Sequence, residues 1–183
     1  IARRVCQSIL FVPVPRIHNG DVGIAKFPWN CPEETRELYR QCLTERYMLT
    51  PYIYSYAIYS HLTGQPILRP LVYHHMTDER VYSVGDEFYM GDHILVAPVT
   101  KKGAAGREVY LPDGEWVNYW TGEEYEGQRT VSVDAPLLEK CGLPMFVKKG
   151  GAVVKQKPSL TLCADVPQTL FIEFFPDTRS ELV

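Results

Sequence analysis

The stretch Arg16-Ile-His-Asn19 holds the side chains of this chain best suited to bind a polar ligand. It follows the apolar run Val5–Val14, which predicts a buried strand bounded by prolines. In α/β barrels, residues at the C-terminal ends of the strands form the active site. Arg16 and His18 can hydrogen-bond ligand hydroxyl groups in fixed directions, and we therefore predict a binding role for both. A helix cap, or a core histidine satisfied by a neighbour, is the alternative.

Trp29 is a further candidate for ligand binding, because it lies shortly downstream of this stretch. An indole ring can stack on the apolar face of a sugar ring while its N–H stays hydrogen-bonded. Ordinary packing of the ring after Pro28 is the alternative, and the sequence leaves both open.

The remaining polar candidates have simpler explanations. Glu123 and Glu124 could suggest the paired carboxylates of glycoside hydrolysis, but neighbouring residues in a strand point to opposite faces. The same argument applies to His74 and His75 as a pair of metal ligands. The five cysteines are widely spaced and form no CxxC pair, so neither a zinc site nor a disulfide framework is predicted. We expect no metal and no cofactor.

Composition and charge narrow the functional class. Of the 183 residues, 45% are hydrophobic and 22% are charged, as in ordinary globular proteins. The net charge of −3 and the lack of a Lys/Arg-rich run argue against a nucleic-acid partner. No stretch is apolar over the roughly 18 residues of a membrane span. The sequence contains no recognisable targeting segment, and it leaves the compartment and the oligomeric state open.

The first part of the chain is predicted to be an α/β unit. A helix is expected to begin at Pro32, because the first helical turn tolerates proline. Pro51 breaks or kinks this helix and starts a second one, which runs to Leu62 and ends at Gly64. The apolar run Ile67–Tyr73 predicts another buried strand. Strand, helix pair and strand make a βαβ unit, in which the two strands are parallel.

The rest of the chain is predicted to be all-β. From residue 88 onward, short strands separated by Gly/Pro turns are typical of an antiparallel sandwich. The predicted strands are His93–Val99, Arg107–Leu111, Glu115–Trp120, Arg129–Val133, Pro144–Lys148, Ala152–Val154 and Thr169–Phe175. The fold class is therefore α/β followed by all-β, and the two architectures meet near residues 76–88.

Several stretches of the chain resemble motifs of glycoside hydrolase family 31. Arg16-Ile-His18 resembles the R-x-H motif at the end of the family's seventh barrel strand. Phe27-Pro-Trp29 resembles the (E/Q)-P-W stretch that follows it. The other matching stretches, in the family's order, are Arg46–Ser55 (R-Y-x-L-L-P-Y-I-Y-S), Gly64–Leu71 (G-x-P-I-x-R-P-L), Phe88–Val99 (F-M-x-G-D-x-L-L-V-A-P-V), Arg107–Gly122 (R-x-V-Y-L-P-x-G-x-W-x-x-x-W-T-G) and Pro144–Gly150 (P-x-F-V-R-x-G). These matches are collinear and cover most of residues 9–154.

The resemblance implies the C-terminal end of a (β/α)8 barrel followed by an antiparallel β-sandwich. The expected domains are the last βα units of the barrel at residues 1–80, a proximal β-sandwich at 81–156 and the start of a distal β-sandwich at 157–183. It also implies that the chain is the C-terminal part of a longer enzyme.

The resemblance further implies hydrolysis of O-glycosidic bonds by two Asp residues in a retaining reaction. Both Asp motifs belong to earlier barrel strands and are absent here. No catalytic residue is therefore expected in this chain, which should be inactive alone. His18 matches the histidine that contacts hydroxyls of the cleaved sugar, and Arg16 matches its supporting arginine. The expected partner is an oligosaccharide or glycoside, and the expected activity is α-glucosidase, acting on non-reducing terminal α-linked glucose.

Two other hypotheses remain. The chain could come from a non-catalytic homologue that binds sugar or acts as a scaffold, and the presence or absence of the upstream Asp motifs would decide this. The third hypothesis is an independent β-sandwich binding module. The α/β part argues against it, because such a module would leave a parallel sheet edge exposed.

Overall fold

The computed structural model describes residues 2–8, 10–15, 27–162 and 167–177. The α-helices of these residues are α1 (Ala2–Ser8), α2 (Glu33–Met48) and α3 (Thr50–Thr63). The strands are β1 (Leu68–Pro70), β2 (Phe88–Met90), β3 (Ile94–Val96), β4 (Gly106–Leu111), β5 (Glu115–Asn118), β6 (Glu124–Glu126), β7 (Arg129–Asp134), β8 (Met145–Lys148), β9 (Ala152–Gln156) and β10 (Leu170–Phe174).

The predicted strand at Val5–Val14 is wrong, because the chain forms helix α1 and then a turn at residues 10 and 11. Cys6 and Leu10, four positions apart, are both fully buried, and α1 packs on α2. Cys6 lies on α1, whereas Leu10 and Phe11 lie in the turn that follows it, and Phe11 is also fully buried. The apolar run is therefore buried by a helix and a turn and not by a strand.

Polar side chains of α1 fix it to loops of the β part. The guanidinium of Arg4 donates to the carbonyls of Ala104 (2.7 Å), Ala135 (2.8 Å) and Gly142 (2.8 Å). The amide of Gln7 donates to further carbonyls of the same loop region. These long-range bonds stabilise the helical conformation and outweigh the strand preference of the β-branched residues around them.

The two predicted helices after residue 32 are confirmed as α2 and α3. Leu49 separates them, and Pro51 lies in the first turn of α3, where its missing N–H costs no hydrogen bond. Gly64 ends α3 in a left-handed conformation with φ of 76°, and its N–H donates to the carbonyl of Ser60. A residue with a Cβ is strained at such a φ, which accounts for glycine at this position.

Strand β1 lies within the predicted strand at Ile67–Tyr73, but its pairing differs from the prediction. It pairs with β2 in antiparallel register, Arg69 opposite Tyr89, and no parallel pair occurs among the described strands. The predicted βαβ unit is therefore not formed within the described residues. Strand β1 belongs to the expected barrel segment, residues 1–80, and is also the edge strand of the large sheet. The division of the chain at residue 80 stays a prediction.

The predicted antiparallel β part is confirmed. Its main sheet has the strand order β1-β2-β3-β8-β5-β6, and β4 with β7 and β9 with β10 form two-stranded sheets. In central strand β3, Ile94 and Val96 pack with the helices, whereas Leu95 packs with β4 on the other face. Strands buried on both faces read as continuous apolar runs, which explains the composition of His93–Val99. The sheet thus lies between the helices and the β4–β7 ribbon.

All seven predicted strands after residue 88 are present, with ends that shift by up to a few residues. The prediction that no α-helix follows Phe88 holds for the described residues, where only the 3₁₀ turn Lys140–Gly142 occurs. The short strands β2 and β6 were not predicted. Both have three residues, too few to establish an alternating pattern.

Candidate functional site

Arg16 and His18 lie within residues 16–26, outside the described residues, so their binding role stays a prediction. The described segments nearest to them in sequence are residues 10–15 and 27–30. Helix α2 contacts both segments. Helix α2 therefore contacts the described chain on both sides of the predicted site in sequence.

Trp29 presents an exposed aromatic ring. It lies in the 3₁₀ turn Pro28–Asn30, and 66% of its surface is exposed. Phe27 stacks on it with ring centroids 4.7 Å apart and an interplanar angle of 9°. The ring is thus backed on one side by Phe27, and an exposed indole of this kind can stack on the apolar face of a sugar. Its role in binding stays a prediction.

Arg46, in the last turn of α2, holds the chain that leads towards Arg16. Its Nη1 donates to the carbonyl of Val12 at 2.7 Å and lies 3.4 Å from that of Leu10. Its Nη2 donates to the carbonyl of Pro13 at 2.7 Å. Burial lowers the pKa of Arg46, but a guanidinium remains charged in proteins. One side chain therefore binds three backbone acceptors within four residues.

Glu45 connects the same turn of α2 to the β part. Its carboxylate is buried, and it accepts hydrogen bonds from the Tyr119 hydroxyl (2.7 Å) and the Lys140 ammonium (2.5 Å). The ammonium of Lys155 lies 3.5 Å away. Burial alone would raise the pKa of Glu45, but the bonds from Lys140 and Tyr119 outweigh it and hold the pKa below its ordinary value. Glu45 is therefore a buried, charged carboxylate whose partners stabilise the contact between α2 and the β part.

A second charge cluster connects α3 to the sheet. The side chain of Arg69 is fully buried and pairs with Asp92, while its Nε donates to the carbonyl of Pro66. The hydroxyl of Tyr56 donates to Asp92 at 3.1 Å. Burial tends to raise the pKa of Asp92, but Arg69 and Tyr56 lower it overall. The cluster stabilises the packing of α3 on β1 and on the turn between β2 and β3.

Gly91 allows the close approach that this cluster needs. A Cβ at Gly91 would lie 2.4 Å from the ring of Tyr56, and the residue has φ of 68°. Both the space and the backbone conformation therefore require glycine. The Gly-Asp pair within Phe88–Val99 thus reflects packing against α3.

The other polar candidates of the sequence have structural partners. Glu123 accepts from the hydroxyl of Tyr125, and Glu124 pairs with Lys149 at the surface. The Nε2 of His75 lies 2.7 Å from the hydroxyl of Tyr89. The described residues contain no group of three or more His, Cys, Asp or Glu side chains that could hold a metal ion.

Arg46, Arg69 and Asp92 lie within the family motifs Arg46–Ser55, Gly64–Leu71 and Phe88–Val99, but the sequence predicts no role for them. The signal was present, because a charged residue inside an apolar stretch is costly to bury without a partner. The identity of the partner, however, depends on the tertiary packing and cannot be read from the chain.

Residues 1–56 match the Glycosyl hydrolases family 31 TIM-barrel domain, and residues 64–154 match the Glycosyl hydrolase family 31 C-terminal domain. The chain belongs to glycoside hydrolase family 31. It comprises the end of the family's TIM barrel and the C-terminal domain that follows, so the predicted fold class is confirmed.

Among curated family members, the chain is 38% identical to an alpha-xylosidase of Saccharolobus solfataricus over 80% of this chain and 20% of the relative. It is 36% identical to Alpha-glucosidase 2 of Bacillus thermoamyloliquefaciens over 82% of this chain and 19% of the relative. The chain thus spans about a fifth of the length of these relatives.

Among solved structures, the chain resembles the family 31 dextranase of Flavobacterium johnsoniae, a mutant form complexed with isomaltotriose. The TM-score is 0.89 and the identity 33%, over 96% of this chain and 21% of the dextranase. The fold described above therefore occurs in a family member that binds an oligosaccharide. No α-helix among the described residues is both long and apolar enough to cross a bilayer.

Proposed function

We propose that this chain is the C-terminal part of an α-glucosidase that releases α-linked glucose from the non-reducing end of its substrate with retention of configuration. The observation that carries the proposal is the succession of the two family 31 domains, with the R-x-H motif intact at Arg16 and His18. The similarity to Alpha-glucosidase 2 over most of the chain supports the choice of sugar.

In this proposal, the catalytic carboxylates come from earlier barrel strands, because the chain contains neither Asp motif of the family. Retaining enzymes hold the nucleophile and the acid/base about 5–5.5 Å apart across the bond that is cleaved. This chain contributes sugar contacts. His18 hydrogen-bonds hydroxyl groups of the cleaved sugar, Arg16 supports it, and Trp29 stacks on a sugar ring. Such contacts raise the rate by orienting the substrate.

The proposed domain division is a barrel segment at residues 1–80, a proximal β-sandwich at 81–156 and the start of a distal β-sandwich at 157–183. The β part braces the barrel segment and is itself not catalytic. The partners of the buried Glu45 and Arg69 side chains support this role, because each cluster joins a helix to the β part. The chain alone is proposed to be inactive.

A second candidate activity is α-xylosidase. The 38% identity to the Saccharolobus α-xylosidase supports this candidate, since the identity to the Bacillus α-glucosidase is no higher, at 36%. A non-catalytic homologue that binds sugar is the remaining candidate. It would retain the fold and the R-x-H motif and lack one or both upstream Asp residues.

The test is hydrolysis of 4-nitrophenyl α-glucoside by the full-length protein, beside a His18→Ala variant and the isolated 183-residue chain. The proposal expects turnover by the parent, a large loss of kcat/KM in the variant and no turnover by the isolated chain. Preference for the α-xyloside would select the second candidate activity. No turnover on α-glucoside, α-xyloside or α-galactoside would favour the non-catalytic homologue.

A further inference from the structure

The segment at residues 10–15 has no regular secondary structure of its own. Pro13 and Pro15 lack an N–H group, so this segment is poorly suited to join a helix or a sheet ladder. It ends next to Arg16 in the sequence. Contacts that hold this segment in place therefore also hold the backbone that immediately precedes the R-x-H motif.

Arg46 supplies the hydrogen bonds that fix this segment. Its guanidinium donates to the carbonyls of Val12 and Pro13, each at 2.7 Å, and approaches that of Leu10. A guanidinium presents its donors in a rigid planar fork, whereas a lysine ammonium is a single point on a flexible stem. The arrangement therefore needs arginine, because one group must serve carbonyls of several residues in fixed directions.

The adjacent residue, Glu45, anchors this turn of α2 to the β part. Its carboxylate binds the hydroxyl of Tyr119 and the ammonium groups of Lys140 and Lys155. These partners come from the end of β5, the 3₁₀ turn Lys140–Gly142 and β9. Glu45 thus binds the β part, and the next residue of the same helix, Arg46, binds the segment before Arg16.

We propose that Arg46 is a positioning residue for the sugar site, which it holds through its bonds to residues 10–13, and that Glu45 anchors it to the β part. The inference rests on the proposed function, because it takes His18 as a sugar contact. In this proposal, Arg46 acts through the backbone that precedes Arg16 and not through a contact of its own with the sugar.

The decisive experiment is a double-mutant cycle between Arg46 and His18 in the full-length enzyme, with kcat/KM on 4-nitrophenyl α-glucoside as the readout. Arg46→Ala is expected to lower kcat/KM roughly 10- to 100-fold, as small displacements of positioned groups do. In the His18→Ala background, the same change is expected to cost less than about twofold, because the group that it positions is gone. An equal loss in both backgrounds would overturn the inference.

Arg107→Ala is the matched control. Arg107 also donates to three backbone carbonyls, those of Asp86, Pro98 and Glu108, but in the β4–β7 region. The Arg107→Ala substitution should lower the thermal stability, and its effect on kcat/KM should be the same with and without His18→Ala. Arg46→Lys serves as a milder variant if Arg46→Ala fails to fold, and it should retain only part of the activity because an ammonium cannot span the carbonyls.

Hydrogen exchange separates a failure of this inference from a failure of the proposed function. In Arg46→Lys, the hydrogen-bonded amides of Leu10 and Phe11 are expected to exchange faster, while those of β3 and β8 remain protected. Unchanged exchange of the Leu10 and Phe11 amides would overturn the role of Arg46, whatever the activity of the His18 variant. Normal activity of His18→Ala would instead refute the proposed sugar contact.

Discussion

The hydroxyl of Tyr119 donates a 2.7 Å hydrogen bond to the buried carboxylate of Glu45. Burial, together with the charge of Glu45, raises the pKa of Tyr119, so the phenol stays protonated and remains the donor. Hydrogen bonds to a charged acceptor are stronger than those between neutral groups. Since Glu45 lies in α2 and Tyr119 follows β5, this bond stabilises the contact between the helices and the sheet.

Replacing Tyr119 by Phe should therefore lower the free energy of unfolding by about 1.5–3 kcal/mol, the range for a hydrogen bond to a charged group. Urea titration of the variant and its parent measures the change. Tyr125→Phe is the control, because the hydroxyl of Tyr125 donates at the same 2.7 Å distance to Glu123, which is exposed. That variant should stay within about 0.5 kcal/mol of the parent. Equal losses of unfolding free energy in the two variants would show that burial of Glu45 does not strengthen its hydrogen bond with Tyr119.

The sequence predicts an element well where one local signal dominates. Gly64, Pro51 and the acidic start of α2 are local signals, and the two helices that they delimit are confirmed. The prediction for β3 also holds, since its apolar run leaves few alternatives. The resemblance to family motifs adds the order of the domains, which no single element could establish.

The sequence fails where distant contacts decide the structure. Val5–Val14 has the composition of a strand, but carbonyls more than 100 positions away bind Arg4 of helix α1. The antiparallel pairing of β1 with β2 is likewise continued by a hydrogen bond from the Gly91 N–H to the Ile67 carbonyl, at a turn that packs against Tyr56. Neither contact is visible in a local pattern.

For the candidate site, too, the sequence indicates some residues and not others. The polar stretch at Arg16 and His18 is prominent in the sequence, whereas the residues that hold its surroundings are not. Arg46 looks like one more charged residue near the end of a helix, where basic residues are common for electrostatic reasons. Only the positions of the carbonyls of Val12 and Pro13 show what it binds.

Gly64→Ala should destabilise the protein by about 1–2 kcal/mol, because the left-handed conformation at the end of α3 is unfavourable for a residue with a Cβ. Among the described residues, no atom beyond the two chain neighbours lies within 4 Å of the added methyl group, so backbone strain is the main effect. Gly85→Ala is the matched control, with equally open space and no positive φ. Its thermal unfolding temperature should be unchanged or slightly higher. A loss as large at Gly85 would show that strain at Gly64 is not the cause.

Glu87 is expected to make stability fall as the pH rises from about 4.5 to 7. Only 3% of its side chain is exposed, and its Oε1 accepts from the N–H of Tyr110 and from Arg107. Burial raises the pKa of Glu87 to about 7 from an ordinary value of 4.5, despite the opposing effect of these donors. Because the folded state then binds more protons than the unfolded state between these values, folding is favoured below 4.5 and weakened above.

The Glu87 contribution is on the order of 2–3 kcal/mol between the ends of this window. Glu87→Gln removes the titration, so its unfolding free energy should vary less with pH than that of the parent. Glu108→Gln, on the exposed side of β4, is the control and should keep the parent's slope. The measurement is urea unfolding at pH 4.5, 6 and 7.5. If the unfolding free energies of the parent and of Glu87→Gln changed equally with pH, Glu87 would not be the group responsible.

Trp29→Ala should weaken sugar binding with little loss of stability. Since Trp29 is mostly exposed, removal of its ring should change the free energy of unfolding by less than about 0.5 kcal/mol. Stacking between an aromatic ring and its ligand is worth about 1 kcal/mol, so KM should rise roughly fivefold at similar kcat. Phe27→Ala should produce a smaller rise, because it keeps the indole and removes only the ring stacked against it. Steady-state kinetics of the full-length protein on 4-nitrophenyl α-glucoside check both variants, and a parental KM in Trp29→Ala would show that this ring makes no contact with the sugar.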